Sequence, residues 1–355
     1  MRNNFDFIRL LAAAMVLCSH QFALLGRPEP RPFGLLRLGT LGVLVFFSVS
    51  GYLVAQSWDR DPHPARFIAR RVLRVWPALA TVILLTVFCV GPTYSTWSPA
   101  DYFSSTESWR YLRQLYFQVE LYLPGVFEAN PIRVVNGSLW TIPIEVGWYG
   151  ALMVAGLCGL LRRRARYVML VVVAAYAFYI YGVFDIQHNP RAGYLQPAFG
   201  REYGSFFCYG VVLHSWQHVW RKHPAWTALT LSVLAGVLVA LDHGYAALYV
   251  LLPVTVIAVG EMSTPFLRQA GRYGDFSYGV YIYAFMVQQM VIVGLGIHRS
   301  YPMMLAASVA ATLMCACLSW HLIERPALSL KRHLRSRNSS SRVDSEREGA
   351  LTITS

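Results

Sequence analysis

Along most of this chain apolar residues neither alternate nor keep to one helical face; they run on without interruption. Predominantly apolar runs of about 17–25 residues, the length that crosses hydrocarbon as a helix, fall at 5–25, 35–57, 73–92, 139–161, 167–185, 198–219, 225–241, 245–261, 276–297 and 302–322. Helices apolar all round are buried in lipid or in a large core, whereas a surface helix shows a single apolar stripe. The pattern therefore predicts an all-α polytopic membrane protein of about ten transmembrane helices. Lys and Arg collect in alternate breaks: at Arg2, between the second and third runs, at 162–166, at Arg221 with Lys222, at Arg268 with Arg272, and after the last run. Cytoplasmic loops carry such an excess, so both termini are expected in the cytoplasm.

Two segments fall outside this pattern. Residues 93–137, rich in aromatics and Pro, form the longest outer break, too long for a simple connector. They suit either a partly ordered lid or acceptor-binding element, or a packed interfacial loop. From Lys331 the chain turns basic and then Ser-rich (RSRNSSSRVDSEREG), as a disordered cytoplasmic tail does. The expected organisation is one transmembrane domain over 1–330 and a tail over 331–355.

Composition agrees with this. Apolar residues make up 55% and charged residues 14% of the 355, against about 25% charged in soluble domains. A net charge of +13 would suit a nucleic-acid partner if the basic residues formed a patch on a soluble face. They sit instead in the breaks, so no nucleic acid is expected. The six cysteines lie inside apolar runs without zinc-ligand or disulfide spacing, and no metal site is expected. The first run carries a histidine and precedes no small-residue cleavage site, so it reads as a retained span and not a signal peptide.

Charge inside the apolar runs points to chemistry, because an ionisable group at mid-membrane costs roughly 2.5–3.5 kcal/mol and usually faces a cavity or a partner. The first run, NFDFIRLLAAAMVLCSHQFALL, carries Asp6, Arg9 and His20. Eleven residues of helix put Arg9 and His20 on one face, about 16 Å apart along the axis. Asp6, three residues from Arg9, is its expected ion-pair partner. Gly51, after Ser50, permits close helix packing or close approach to a ligand. Arg66, Arg70, Arg71 and Arg74 in PARFIARRVLRVWPALA recur at helical spacing, and their planar forks suit phosphate oxygens; ordinary membrane anchoring is the alternative. Glu145 enters the fourth run from the outer side, where it could reach His20. Asn136-Gly137-Ser138 fits a glycosylation sequon, which is discounted as common by chance. Glu324 and Arg325 close the last run.

FDFIRLLAAAMVLCSH, FFSVSGYL, RFIARRVLRVWPA, SLWTIPIEVGWY, SYGVYIY and HLIERPALSL occur in this order. In order and spacing they resemble the acyltransferase 3 family, membrane enzymes that O-acylate surface polysaccharides, lipopolysaccharide, Nod factors and some antibiotics. The resemblance covers residues 5–330. It implies roles for the Arg-x10-His pair at Arg9 and His20, the paired arginines at Arg71 and Arg74, the SLW-x-x-P-x-E glutamate at Glu145 and the late glutamate at Glu324. Many members carry a histidine in the ninth span where this chain has Ala284.

Residues and resemblance together give one expectation. Cytosolic acyl-CoA, with acetyl the expected group, docks its phosphates on Arg70, Arg71 and Arg74, with Glu324 beside them. Its thioester meets a hydroxyl of a cell-surface or exported glycan, with His20 as general base. Glu145 holds the imidazole, and Arg9 neutralises the thioester oxygen or thiolate, or helps hold the phosphates. No permanently bound cofactor is expected, and the expected location is a bacterial plasma membrane. Two other readings are a flippase or transporter for a lipid-linked glycan, disfavoured by the absence of paired halves with interrupted helices, and a catalytically idle sensor on the same scaffold.

Overall fold

A computed structural model of the chain describes residues 3–162, 164–184 and 197–331. The expected tail, from residue 332 onward, lies outside them. Ten helices occupy the positions of the ten apolar runs: α1 Phe5–Leu24, α2 Leu38–Arg60, α3 Pro64–Tyr94, α4 Ile142–Leu157, α5 Arg166–Phe184, α6 Pro197–Ser215, α7 Pro224–Ala240, α8 Gly244–Glu261, α9 Ser277–Leu295 and α10 Tyr301–Ser329. Six of them, α1, α2, α3, α8, α9 and α10, are long and apolar enough to cross a membrane. There is no strand among the described residues, only an isolated bridge between Ser95 and Val126.

Two helices form the middle of the bundle. In α2 and α9, 67% and 72% of the apolar window is buried, against 28% in α8 and α10, so the first pair is packed on all sides and the second forms a rim. α10 accordingly turns Met314, Leu318 and Leu322 outward. α2 meets α6 backbone to backbone: a Cβ on Gly51 would strike the Phe207 carbonyl, and one on Gly210 the Ser48 carbonyl. Gly51 therefore serves helix packing.

α3 starts earlier than the apolar run, at Pro64, whose missing N–H costs nothing in a first turn. Arg70, Arg71 and Arg74 thus lie on the helix itself and not on an approach to it. α3 widens into a π turn at Thr86–Val90, and α10 does so at Trp320–Glu324. The cause is the same in both. Pro92 and Pro326 each lack the N–H that the carbonyl four residues earlier, inside the π turn, would accept.

Residues 93–137 fold against the bundle. Two short helices, Pro99–Ser104 and Thr106–Arg110, lead into a 3-10 turn at Tyr111–Tyr116. Tyr102 and Tyr111 are fully buried, and the Tyr102 hydroxyl donates to the Val87 carbonyl at 3.1 Å. Buried Gln289 of α9 pins the rest: it donates to the carbonyls of Ile132 (2.6 Å) and Val134 (2.7 Å), while its side-chain oxygen accepts from Asn130 (2.7 Å). Of the two readings open from sequence, this is the packed one. Asn136 is wholly buried and donates to the Ile282 carbonyl at 2.8 Å, so the sequon nitrogen is not presented at the surface.

Candidate active site at one end of the bundle

A cavity of about 360 Å³ opens between α1, α2, α3, α4, α9 and the end of α10. Arg9, Arg71, Arg74 and Glu145, four of the residues singled out in the sequence, line it together with Asp275 and Lys331. The first link is electrostatic. Asp275, in the turn before α9, offers one carboxylate oxygen to both Arg9 (2.5 Å) and Arg74 (2.6 Å). Its other oxygen accepts from the Ser277 hydroxyl at 2.5 Å and backbone N–H at 3.3 Å. Burial pushes the Asp275 carboxyl up, but the Arg74 and Arg9 guanidiniums outweigh it and hold the group below the usual carboxylate range.

The Arg9 ion pair is a correction to the sequence reading, in which Asp6 is the partner. Among the described residues no ion pair joins Arg9 to Asp6. The turn after α8 places Asp275 between α1 and α3, where it reaches Arg9 and Arg74 at once, whereas the Asp6 carboxylate lies against Gly271. Asp275 carried a signal in the sequence: an acid at the mouth of an apolar run, at the membrane end expected for Arg9.

Arg71 has no carboxylate in ion-pair range among the described residues. Its guanidinium lies over the rings of Tyr149 (5.7 Å) and Phe67 (5.8 Å), with a long contact to the Ser57 hydroxyl at 3.4 Å, and its Nε is buried without a partner. Lys331, just past α10, completes the cationic end. Burial first, then Arg71 and Arg74, pull its ammonium down from 10.5 to about 7. Four cationic side chains from three segments thus face one cavity, with Asp275 as the carboxylate among them. Glu145 sits further along the wall, accepting from the Ser50 hydroxyl at 2.9 Å and from Tyr149. The Tyr281 and Thr141 hydroxyls, 2.6 Å apart, pair across the cavity lining.

Other expected site residues fall elsewhere. Arg70 turns away from the cavity to Asp61 (2.5 Å), which also holds Arg66 (2.6 Å). These arginines keep the Asp61 carboxyl below its usual range and clamp the corner between α2 and α3. Glu324 is buried in the second π turn and accepts from Ser319 at 3.1 Å; its Oε2 has no partner. It does not line the cavity, although its charge acts on Arg74.

His20 is also outside the lining. Its ring is half-buried, edge-on to Phe285 at 5.0 Å, and its Nδ1 is buried without a hydrogen-bond partner. The expected Glu145–His20 contact does not form: Glu145 lines the cavity, where its Oε1 accepts from Ser50 and Tyr149, and His20 lies outside that lining. The carboxylate whose charge acts on the imidazole is Glu29, held by Ser19 (2.6 Å) and Arg37 (3.2 Å). Sequence reasoning missed Glu29, although it stands in the short break right after the helix that carries His20. Ala284 is buried among Ala13, Leu17, Val280 and Ala316, a packing position.

Comparison with known proteins places this geometry. The chain belongs to the acyltransferase 3 family: the family's acyltransferase domain matches residues 2–321. It is 33% identical to an O-acetyl transferase of Shigella phage Sf6, covering 92% of this chain and 96% of the relative. It is 29% identical to nodulation protein 10 of Rhizobium leguminosarum bv. viciae, covering 96% of each. A putative membrane-bound transacylase, BcsY, of Komagataeibacter xylinus is 26% identical over 50% of this chain and 43% of the relative. No solved structure matches. The chain is thus an acyltransferase-family, multi-pass helical protein.

Proposed function

We propose that the protein is an integral membrane O-acyltransferase that moves an acyl group, acetyl in the first instance, from cytosolic acyl-CoA to a hydroxyl of a cell-surface or exported glycan. The observation that carries this reading is the cavity: Arg9, Arg71, Arg74 and Lys331 converge on it with Asp275 between two of them. Such a site suits a ligand with several phosphate oxygens, because guanidinium forks grip them in pairs. In this reading all ten helices span a bacterial plasma membrane, with both ends cytoplasmic, residues 1–330 as the catalytic domain and 331–355 as a tail. The cavity then opens to the cytosol, where acyl-CoA is available.

The chemistry follows from the residues. The donor phosphates bind at the cationic end, and Arg9, held there by Asp275, joins Arg71 and Arg74 in gripping them. The pantetheine arm runs along the wall past Glu145, whose carboxylate can accept from its amide N–H groups. It leads the thioester up α1, past Tyr281, to His20. The imidazole takes the acceptor's hydroxyl proton, the oxygen attacks the thioester carbonyl, and the C–S bond breaks. The departing thiolate recovers the proton from His20. The unpartnered Nδ1 of His20 supports this role: a buried polar atom without a bond is costly unless something else uses it. Glu324 backs Arg74 from behind the cavity, and Arg70 fixes the helix corner that aims Arg71 and Arg74.

The test is labelled acetyl-CoA with an envelope glycan acceptor and purified protein. Transfer of label is expected; retention of the acceptor without label, with donor still bound, would leave the sensor reading standing. Comparing surface glycans by mass spectrometry with and without the protein then identifies acyl group and acceptor together.

A further inference from the structure

A second concavity, of about 950 Å³, lies at the same end of the bundle, outside the acyl-transfer cavity. Arg60 from the end of α2, Arg221 after α6, and Arg268 and Arg272 from the turn between α8 and α9 converge on it. One carboxylate faces them, Glu261, and it is already taken: it accepts from Arg221 and from the Tyr52 hydroxyl. No carboxylate lies in ion-pair range of Arg60, Arg268 or Arg272 among the described residues. Arg268 has only a 3.5 Å contact to the Ser263 hydroxyl, and Arg272 lies over the Tyr273 ring at 5.5 Å.

Three uncompensated cations around one hollow call for an anion, and the turn that carries two of them, Arg268 and Arg272, says which kind. In the same turn Phe266 is 87% exposed, Tyr273 70% and Met262 55%. A soluble anion needs no such neighbours. Large apolar and aromatic side chains standing free beside arginines are the arrangement of a membrane interface, with rings at headgroup depth and cations on the phosphates. Basic pockets between helices on the cytoplasmic side recognise anionic headgroups in this way.

We infer that this hollow is a binding site for an anionic phospholipid, its headgroup phosphate held by Arg60, Arg268 and Arg272 and its chains lying against Phe266 and Met262. The site is separate from acyl transfer: it rests on the proposed topology, which puts the α8–α9 turn on the cytoplasmic side, and not on the proposed reaction.

The test uses the full-length protein, stripped of lipid in detergent, given phosphatidylglycerol or phosphatidylcholine of the same chains; retained lipid is counted by native mass spectrometry. Phosphatidylglycerol is expected to stay and phosphatidylcholine to wash away. Each arginine near the headgroups contributes about a factor of five, so Arg268→Gln with Arg272→Gln should weaken retention roughly thirtyfold. The paired Lys substitutions should keep most of it. If the doubly substituted chain does not fold, as judged by its melting in phosphatidylcholine, Arg60→Gln alone should cost about fivefold. Equal retention of the two lipids, or phosphatidylglycerol retention unchanged by the Gln variants, overturns the assignment. So does displacement of phosphatidylglycerol by inorganic pyrophosphate, which would make the hollow a site for a soluble polyanion.

Discussion

At the scale of single residues, the site turns on how few carboxylates answer its cations. Asp275 carries two arginines on one oxygen, and Asp275→Asn leaves both without a counter-charge. Stability should fall by about 3 kcal/mol, the lower end for a buried pair that loses one partner, read as a lower melting temperature in detergent. Lys331 gives a pH signature. Its folded value, near 7, lies below the free lysine value of 10.5. As pH rises past 7 the folded protein sheds this proton before the unfolded chain does, so Lys331 makes stability climb between 7 and 10.5, while below 7 it is charged in both states and adds no pH dependence. In the proposed reaction, donor phosphates restore the charge. Acyl-CoA affinity should therefore weaken from pH 7 to 9 with uptake of a proton on binding, and Lys331→Gln should flatten that slope; a wild-type slope in the variant excludes the lysine. His20→Ala should lower turnover by roughly 10²–10⁴-fold while expression and membrane insertion persist. Turnover near wild type would remove the imidazole from the mechanism.

At the scale of elements, α3 is the helix that carries the donor-binding reading. Arg71→Gln with Arg74→Gln should mainly raise KM for acyl-CoA with little change in kcat; an unchanged KM would leave them as membrane anchors. That Arg71 and Arg74 face one cavity was legible in the sequence, because residues three apart on a helix lie on neighbouring positions of one face. What periodicity could not tell was which of them finds a counter-ion first. Arg70, four residues from Arg74, is as much its helix neighbour as Arg71 is, yet Asp61 captures it from the preceding corner. Asp275 went unseen for a related reason: it acts from a short break whose position in space depends on packing between helices distant in sequence. The outer segment shows the same limit. Nothing in 93–137 announces that Gln289, far along the chain, will satisfy its carbonyls. Gln289→Leu leaves those part-buried groups unpaired, at a cost of about 1 kcal/mol each, and should expose this segment to limited proteolysis.

Over the whole molecule, continuous apolar runs made the all-helical, multi-pass architecture readable. Run length alone could not decide how many helices cross: α4 has 16 residues and α7 has 17, at or below the usual span. The proposed ten-span topology requires the 93–137 segment and the α8–α9 turn to lie on opposite sides of the membrane. Cysteines placed at Ser105 and at Ser263 in a background without the native six should react with an impermeant reagent from the outside and only after permeabilisation, respectively.

The oxygen of Asp275 shared by Arg9 and Arg74 also bears on how fast the enzyme can let go. In the proposed reaction an incoming phosphate has to compete with a carboxylate that is already seated and cannot diffuse away. Whenever the spent carrier loosens, that carboxylate is there to retake both guanidiniums. Such an internal competitor trades grip for release, and would keep a polyanionic product from jamming the mouth of the cavity.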